Sequence, residues 1–460
     1  MHSAQRRARL GGTGWALRLA GGMCLAIGGA LALSQAAAAS PPWFTRTQHS
    51  EAQWFPRAGM GLFMHWGIHS VAGIQPSWAM IKDYPHGYDP RYHPLERYYT
   101  LADQFNPGQY DPDKWMAAAK RAGFTYAVLT AKHHDGYCLW PTQFGVRGTL
   151  QYMGGRDLLG PYVEACRKHG LKVGLYFSPR DWSYPGYPVG DVQFDYNKRG
   201  KHPAVDPVAN QRAFDEFYEF TIGQLGELLT RYGRIDLLWF DGMGWHGVDD
   251  IRTRQTIEWI RKLQPWIVIN NRWGGVGDYG TPEWRGPQKR PEGWWEHCIS
   301  WNGHWGYNPR GAFRSTAWVL STLCQNRAWG GNFLLNCGPA PDGTMPAGFY
   351  GCCDELAQWM SHSRESVIGA GPGPWPEGAN VPITTRDDVW YLHFVDQQVN
   401  QARVTGVPKP VSAKLLRTAQ ALSFEHAEGT LIIGIPPGLR TDRDDVVSVC
   451  FDLVPVEAAP

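Results

Sequence analysis

Between residues 54 and 359, short apolar runs alternate with longer amphipathic stretches, and this alternation constrains the fold more than any other feature of the chain. The runs fall at 61–65, 126–130, 173–177, 235–240, 266–270 and 332–336. Each is apolar on both of its faces, as strands are in a parallel sheet that is covered on two sides. Helices fit between them. Asp111-Pro112 sets an N-cap before a proline at the first helical position, which predicts a helix to Arg121. Others are predicted over 156–169, 211–232, 249–263 and 313–324. The longest carries Phe214, Phe217, Thr221, Leu225, Leu228 and Tyr232 at helical spacing. Such a pattern implies a parallel sheet with crossover helices. Its extent suits an α/β fold of the (β/α)8-like TIM barrel type over residues 40–370. A doubly wound open sheet is the alternative, but no Gly-rich phosphate loop follows the first strand.

The style changes at Gly371-Pro372-Gly373-Pro374-Trp375-Pro376, a domain-edge signal. Short alternating stretches follow at 389–395, 413–416, 430–435 and 446–453. They predict a small C-terminal antiparallel β-sandwich over 371–460. At the other end, Arg6, Arg7, Arg9 and Arg18 precede an apolar stretch at 19–33 and then Ala36 to Ala39. This predicts a cleaved signal peptide over 1–39 and a periplasmic or secreted bacterial protein. No later stretch is long and apolar enough to span a membrane. Outside the leader there are eight cysteines without metal-type spacing; disulfides and buried free thiols both stay open.

The formal net charge is +2, so no strong basic field draws nucleic acid. The 23 tryptophans stand out instead. Aromatic faces stack on the apolar faces of sugar rings, although most of these residues are expected in the core. A homo-oligomer is neither indicated nor excluded.

The predicted strands end in a distinctive set. They run into His65, then His133-His134, then Tyr176, then Asp241, then Arg272. Strand carboxyl ends are where α/β barrels build sites. Five successive ends of this kind suit a polyhydroxylated ligand, since imidazole, phenol and guanidinium groups make directional hydrogen bonds. Asp241 follows Leu237-Leu238-Trp239-Phe240 and is costly to bury without partners. His133-His134 raise the question of a metal. Consecutive strand residues point to opposite faces, however, and no third ligand has zinc-like spacing. No metal or other cofactor is expected. Glycosidic cleavage needs a second carboxyl group beside Asp241. Glu283, Glu292 and Glu296 lie in what reads as a long Gly-, Pro- and Trp-rich loop after Arg272, and loops of that length are usually functional.

At these residues the chain resembles the α-L-fucosidases of glycoside hydrolase family 29. The resemblance runs from Trp54 to about Trp375. It is carried by Gly61-Leu62-Phe63-Met64-His65-Trp66-Gly67, by the run from Ala122 to Gly136, by Leu238-Trp239-Phe240-Asp241-Gly242 and by the run from Gly331 to Pro339. It implies a barrel followed by a β-sandwich, and a retaining exo-glycosidase that removes terminal α-L-fucose from a fucosylated oligosaccharide by double displacement. Asp241 falls on the nucleophile motif. Glu283 is the implied acid/base, with Glu296 in Trp295-Glu296-His297-Cys298 as the alternate. His65, His133, His134, Tyr176, Trp239 and Arg272 match sugar-binding positions, and Trp78 and Trp305 lie in matching stretches. One departure stands out: where the family has Glu-Trp, this chain has Ser77-Trp78. A site built to bond a hydroxyl loses much without that partner. Other readings are therefore a catalytically weak or inactive carbohydrate-binding protein or a retaining glycosidase for a related sugar such as α-L-galactose; His133 and His134 separately raise a metal-dependent hydrolase as a further alternative.

Overall fold

A strand at each of the six predicted places, joined by two more, makes the parallel sheet. The computed structural model describes residues 44–452 apart from 86, 94, 186, 188–210, 242–249 and 442–443. The predicted leader, 1–39, lies outside the described residues. The strands are β1 (Met60–Met64), β2 (Tyr126–Lys132), β3 (Lys172–Phe177), β4 (Leu237–Phe240), β5 (Val268–Ile269), β6 (Tyr279–Gly280), β7 (Trp294–Ser300) and β8 (Asn332–Asn336). Their order in space is β5-β4-β3-β2-β1-β8-β7-β6, all parallel. A bridge from Asn270 to Tyr279 joins the two edges and closes the barrel, so the closed alternative of the two architectures is the one formed.

The helices obey local capping chemistry. Asp111 accepts a hydrogen bond from the Lys114 N–H and opens the helix Pro112–Arg121 as expected. The predicted helix over 156–169 starts later, at Leu159, because Asp157 Oδ1 accepts from the N–H groups of Leu159 and Gly160. That over 313–324 becomes Thr316–Ala328, with Ser315 as its N-cap. Gln211–Arg231 and Asp250–Leu263 agree with their patterns to within a residue.

Two layers of apolar side chains result, as strand alternation requires. Phe63, Tyr126, Val128, Tyr176, Leu237, Trp239, Tyr279 and Leu334 fill the barrel interior. Leu62, Met64, Leu129, Leu175 and Phe240 pack outward under the helices. Phe55 plugs the lower end. It is fully buried against Tyr279, Tyr126 and Trp294, which begin β6, β2 and β7.

The stretch after Arg272 is not one long loop. It holds β6 and β7, both missed by the hydrophobic pattern. β6 has two residues, and β7, buried from Trp295 on, carries Glu296 and His297. This changes where the candidate acids stand. Beyond residue 371, β9 (Gly371–Pro372), β10 (Ile383–Arg386), β11 (Val389–Phe394), β13 (Ser412–Leu415) and β16 (Asp445–Cys450) form one antiparallel sheet. β12 (Gln401–Thr405), β14 (Phe424–Ala427) and β15 (Thr430–Gly434) form another. The two enclose a separate apolar core with Leu392, Val404, Leu431 and Val447. All eight cysteines among the described residues are free thiols.

Candidate active site

Asp241 leaves β4 at the upper end of the barrel. Its approach is set by Asn270. The Asn270 Oδ1 accepts from the Phe240 N–H at 2.9 Å, and its Nδ2 donates to the Phe240 carbonyl at 2.8 Å. β5 has only two residues in ladder pairing with β4, so this amide extends the pairing up to the residue before Asp241.

Among the described residues, Tyr176 and Arg272 hydrogen-bond the Asp241 carboxylate. Tyr176 OH donates to Oδ2 at 2.7 Å and Arg272 Nη1 donates to Oδ1 at 2.8 Å. His134 Nε2 stands 3.7 Å from Oδ2. Arg272 continues outward: Nη2 donates to Glu283 Oε2 at 2.7 Å, and Nε to Thr281 Oγ1 at 2.8 Å. One guanidinium therefore spans Asp241 and Glu283. Burial works against its charge, yet Glu283 and Asp241 outweigh it and push the Arg272 pKa up. Trp239 lies beneath, with the guanidinium 4.5 Å from its ring centroid. Trp239 in turn stacks on Tyr176 at 5.5 Å and 15°. Asp241 and Trp239, two residues apart, thus share the inner side of β4.

The histidines surround this group. His65 Nδ1 lies 2.8 Å from Asn336 Oδ1. The Asn336 Nδ2 donates to the carbonyls of Trp305 and His304, so Oδ1 is the accepting atom and His65 carries its proton on Nδ1. Burial drives the His65 pKa down to about 4; the ring is neutral at pH 7. Burial also drives His133 well below its ordinary value, helped by the neighbouring His134 and His65. His133 Nδ1 meets Ser77 Oγ at 2.5 Å and His134 Nδ1 meets Ser178 Oγ at 2.6 Å. Each imidazole is thus fixed by a small polar side chain behind it, which orients the other nitrogen.

The two adjacent histidines were expected on opposite faces. Their ring centroids lie only 4.2 Å apart. The β2–β3 register shifts between Thr130 and Lys132, and His133 and His134 stand past the strand end, so the alternation rule no longer applies to them. With Asp241 they form the group of possible metal ligands found among the described residues, donor atoms within 4.8 Å of one another. Arg272 sits on the same carboxylate, which opposes a bound cation.

Trp78 stacks on Tyr84 at 4.3 Å and meets His134 edge-on at 5.5 Å. Trp305 lies 5.3 Å from the His65 ring. All the expected sugar-binding side chains therefore gather at one end of the barrel. Glu296 does not join them. It is fully buried in β7, where it accepts from Trp239 Nε1 at 3.0 Å and from Tyr126 OH. It lies below Trp239 inside the barrel, whereas the side chains of Asp241 and Glu283 are 17% and 34% exposed. Trp239 thus contacts Glu296 through its Nε1 and Arg272 through its ring face. Burial raises the Glu296 pKa to about 7 despite its two donors. Ser77 stands directly behind His133. It is fully buried and accepts from the Asp135 N–H as well as contacting His133. Sequence reasoning passed over Asn270's side chain, Ser178, Thr281 and Asn336. Their polar identities inside or beside apolar strands were the available signal.

A model of the alpha-L-fucosidase family matches residues 30–365. The chain belongs to that family. Rat tissue alpha-L-fucosidase is 28% identical, with 87% of this chain and 89% of the rat protein aligned. The human tissue enzyme is also 28% identical, over 92% of this chain and 89% of its own length. Among solved structures, alpha-L-fucosidase isoenzyme 1 from Paenibacillus thiaminolyticus superposes with a TM-score of 0.77 at 30% identity, covering 87% of this chain and 98% of that one. The Thermotoga maritima alpha-fucosidase, solved with a mechanism-based inhibitor, gives a TM-score of 0.72 at 25% identity, with 87% of this chain and 97% of that chain covered. The resemblance seen in the motifs thus extends over barrel and C-terminal sheets together.

Proposed function

We propose that this fucosidase-family chain hydrolyses terminal α-L-fucosides with retention, with Asp241 as nucleophile and Glu283 as acid/base. The observation that carries the assignment is Arg272, one guanidinium gripping both carboxylates at the barrel mouth. Retaining enzymes need a close pair, about 5–5.5 Å apart. Asp241 attacks the anomeric carbon while the bond to the leaving oxygen breaks, its electrons taken by that oxygen and its proton supplied by Glu283. Glu283 must exchange its contact with Arg272 for the glycosidic oxygen as the substrate enters. Water then attacks the same carbon, gives its proton to Glu283 and releases Asp241. Tyr176 and Arg272 orient the nucleophile. The neutral His65 and its histidine neighbours hold ring hydroxyls.

Asp241→Ala is expected to lower turnover of an aryl α-L-fucoside by at least about 10⁴-fold with the fold intact by circular dichroism. Azide should then restore part of it as the β-fucosyl azide. NMR of the wild-type reaction should show α-L-fucose as the first product. Turnover that survives Asp241→Ala, or a β first product, overturns the mechanism.

A further inference from the structure

We propose that Trp284 and Trp305 form a platform for the leaving group, and that this group is a second pyranose ring. The subsite rests on the reaction assigned above. It follows from where the acid stands: Glu283 must touch the glycosidic oxygen, so whatever that oxygen carries lies beside Glu283. The next residue is Trp284.

Three observations set Trp284 apart. It is 40% exposed and is the one tryptophan among the described residues that stands out as an exposed large apolar side chain. A single exposed apolar residue is ordinary by itself. Its backbone is not ordinary, since φ is +58°, where a bulky side chain is a genuine outlier. Such conformations persist only when the surroundings impose them, and they gather at ligand contacts. Here the surroundings do impose it. The Trp284 N–H donates to the Cys298 carbonyl at 3.1 Å, and the Trp284 carbonyl lies 3.4 Å from His297 Nε2. The indole packs against Trp305 at 4.9 Å and 61°. Trp305 is itself tied down, its N–H donating to Gln75 and its carbonyl accepting from Asn336, and it lies 5.3 Å from the His65 ring.

A line of aromatic rings therefore leads from His65 through Trp305 to the exposed Trp284, the residue that follows the candidate acid. Indole faces carry negative charge density and attract C–H bonds turned toward them. A pyranose presents several C–H bonds on one face. A methyl group offers no comparable face. The platform thus selects fucose linked to another sugar over fucose linked to a small alcohol.

The test compares two substrates that both need the acid. One is methyl α-L-fucoside; the other is a disaccharide of α-L-fucose on a hexopyranose. For Trp284→Ala, kcat/KM on the disaccharide should fall about tenfold or more, while methyl fucoside changes less than about twofold. Trp284→Phe should recover most of the disaccharide rate. Trp284→Gly suits the left-handed backbone and carries the same expectation should the alanine variant fold poorly. Equal losses on both substrates would make Trp284 a support for Glu283 and overturn the subsite. No loss on either overturns it too. Wild-type protein that cleaves neither fucoside overturns the fucosidase reading and the subsite with it, an outcome separate from a failure of Trp284 alone.

Discussion

Strands β1 to β4 and strands β6 to β8 make two arcs of one barrel, and they treat polar residues differently. In the first arc, the strands are mostly Leu, Val, Phe, Met and Ala, with Thr130 and Lys132 in β2 and Lys172 in β3 as exceptions, and the candidate chemistry stands at or past their upper ends at His65, His133, His134, Tyr176 and Asp241. In the second arc, polar side chains enter the strands themselves. Glu296 and His297 occupy β7, and Asn332 and Asn336 begin and end β8, all nearly or fully buried. Each has a role in the frame. Glu296 holds the Trp239 indole, and Asn336 fixes His65 and Trp305. The first arc supplies the groups proposed to meet the sugar, and the second mostly holds those groups in place. Glu283 is the exception, since it follows the two-residue β6 and reaches back to the first arc through Arg272.

The two glutamates give the most direct way to break this division. Glu283→Gln should lower kcat/KM on a fucoside with a poor leaving group by about 10²–10⁴-fold. Glu296→Gln, assayed on the same substrate, should stay within about threefold, because Gln still accepts from Trp239. Equal losses would erase the distinction between a reacting and a positioning carboxyl group. A smaller effect is expected at the link between the arcs. Arg272→Lys keeps a charge but loses the planar fork that grips two carboxylates. Its kcat should drop by about 10²–10³-fold, with a change in the pH–rate profile as Asp241 and Glu283 lose their common partner.

The smallest expected effect sharpens the contrast through stability. Burial raises the Glu296 pKa from 4.5 to about 7. Between those values the folded chain keeps a proton that the unfolded chain has released. The unfolded state then binds fewer protons, so this residue's share of stability falls as pH rises through that window. Denaturant midpoints of wild type and Glu296→Gln, measured from pH 4.5 to 7, should converge at the acid end and separate toward neutrality, the Gln variant being relatively more stable there. Parallel curves would show that Glu296 does not titrate as a buried group.

Much of the first arc was legible in the chain. Its strands are near-continuous apolar runs, and hydrophobic pattern locates those well. The ends of those runs named the residues that the structure gathers at the barrel mouth. The second arc was not legible for a physical reason. β7 carries Glu and His because the barrel interior supplies Tyr126 and Trp239 as donors to that Glu. β6 is too short to show any period. A polar strand residue looks like a loop residue until its partners are known.

By itself, then, the sequence determined the alternation that makes a parallel barrel, the place of Asp241 at a strand end and the company it keeps. These follow from local rules of apolar periodicity and capping, which act within a few residues. Only the tertiary structure decided which glutamate faces Asp241. Glu283 and Glu296 are both acids near Trp and Pro in the chain, and their difference is one of neighbours from other strands. Arg272 draws one to the barrel mouth, while Tyr126 and Trp239 enclose the other. Those contacts join residues far apart in sequence, and they exist only once the barrel has closed between Asn270 and Tyr279.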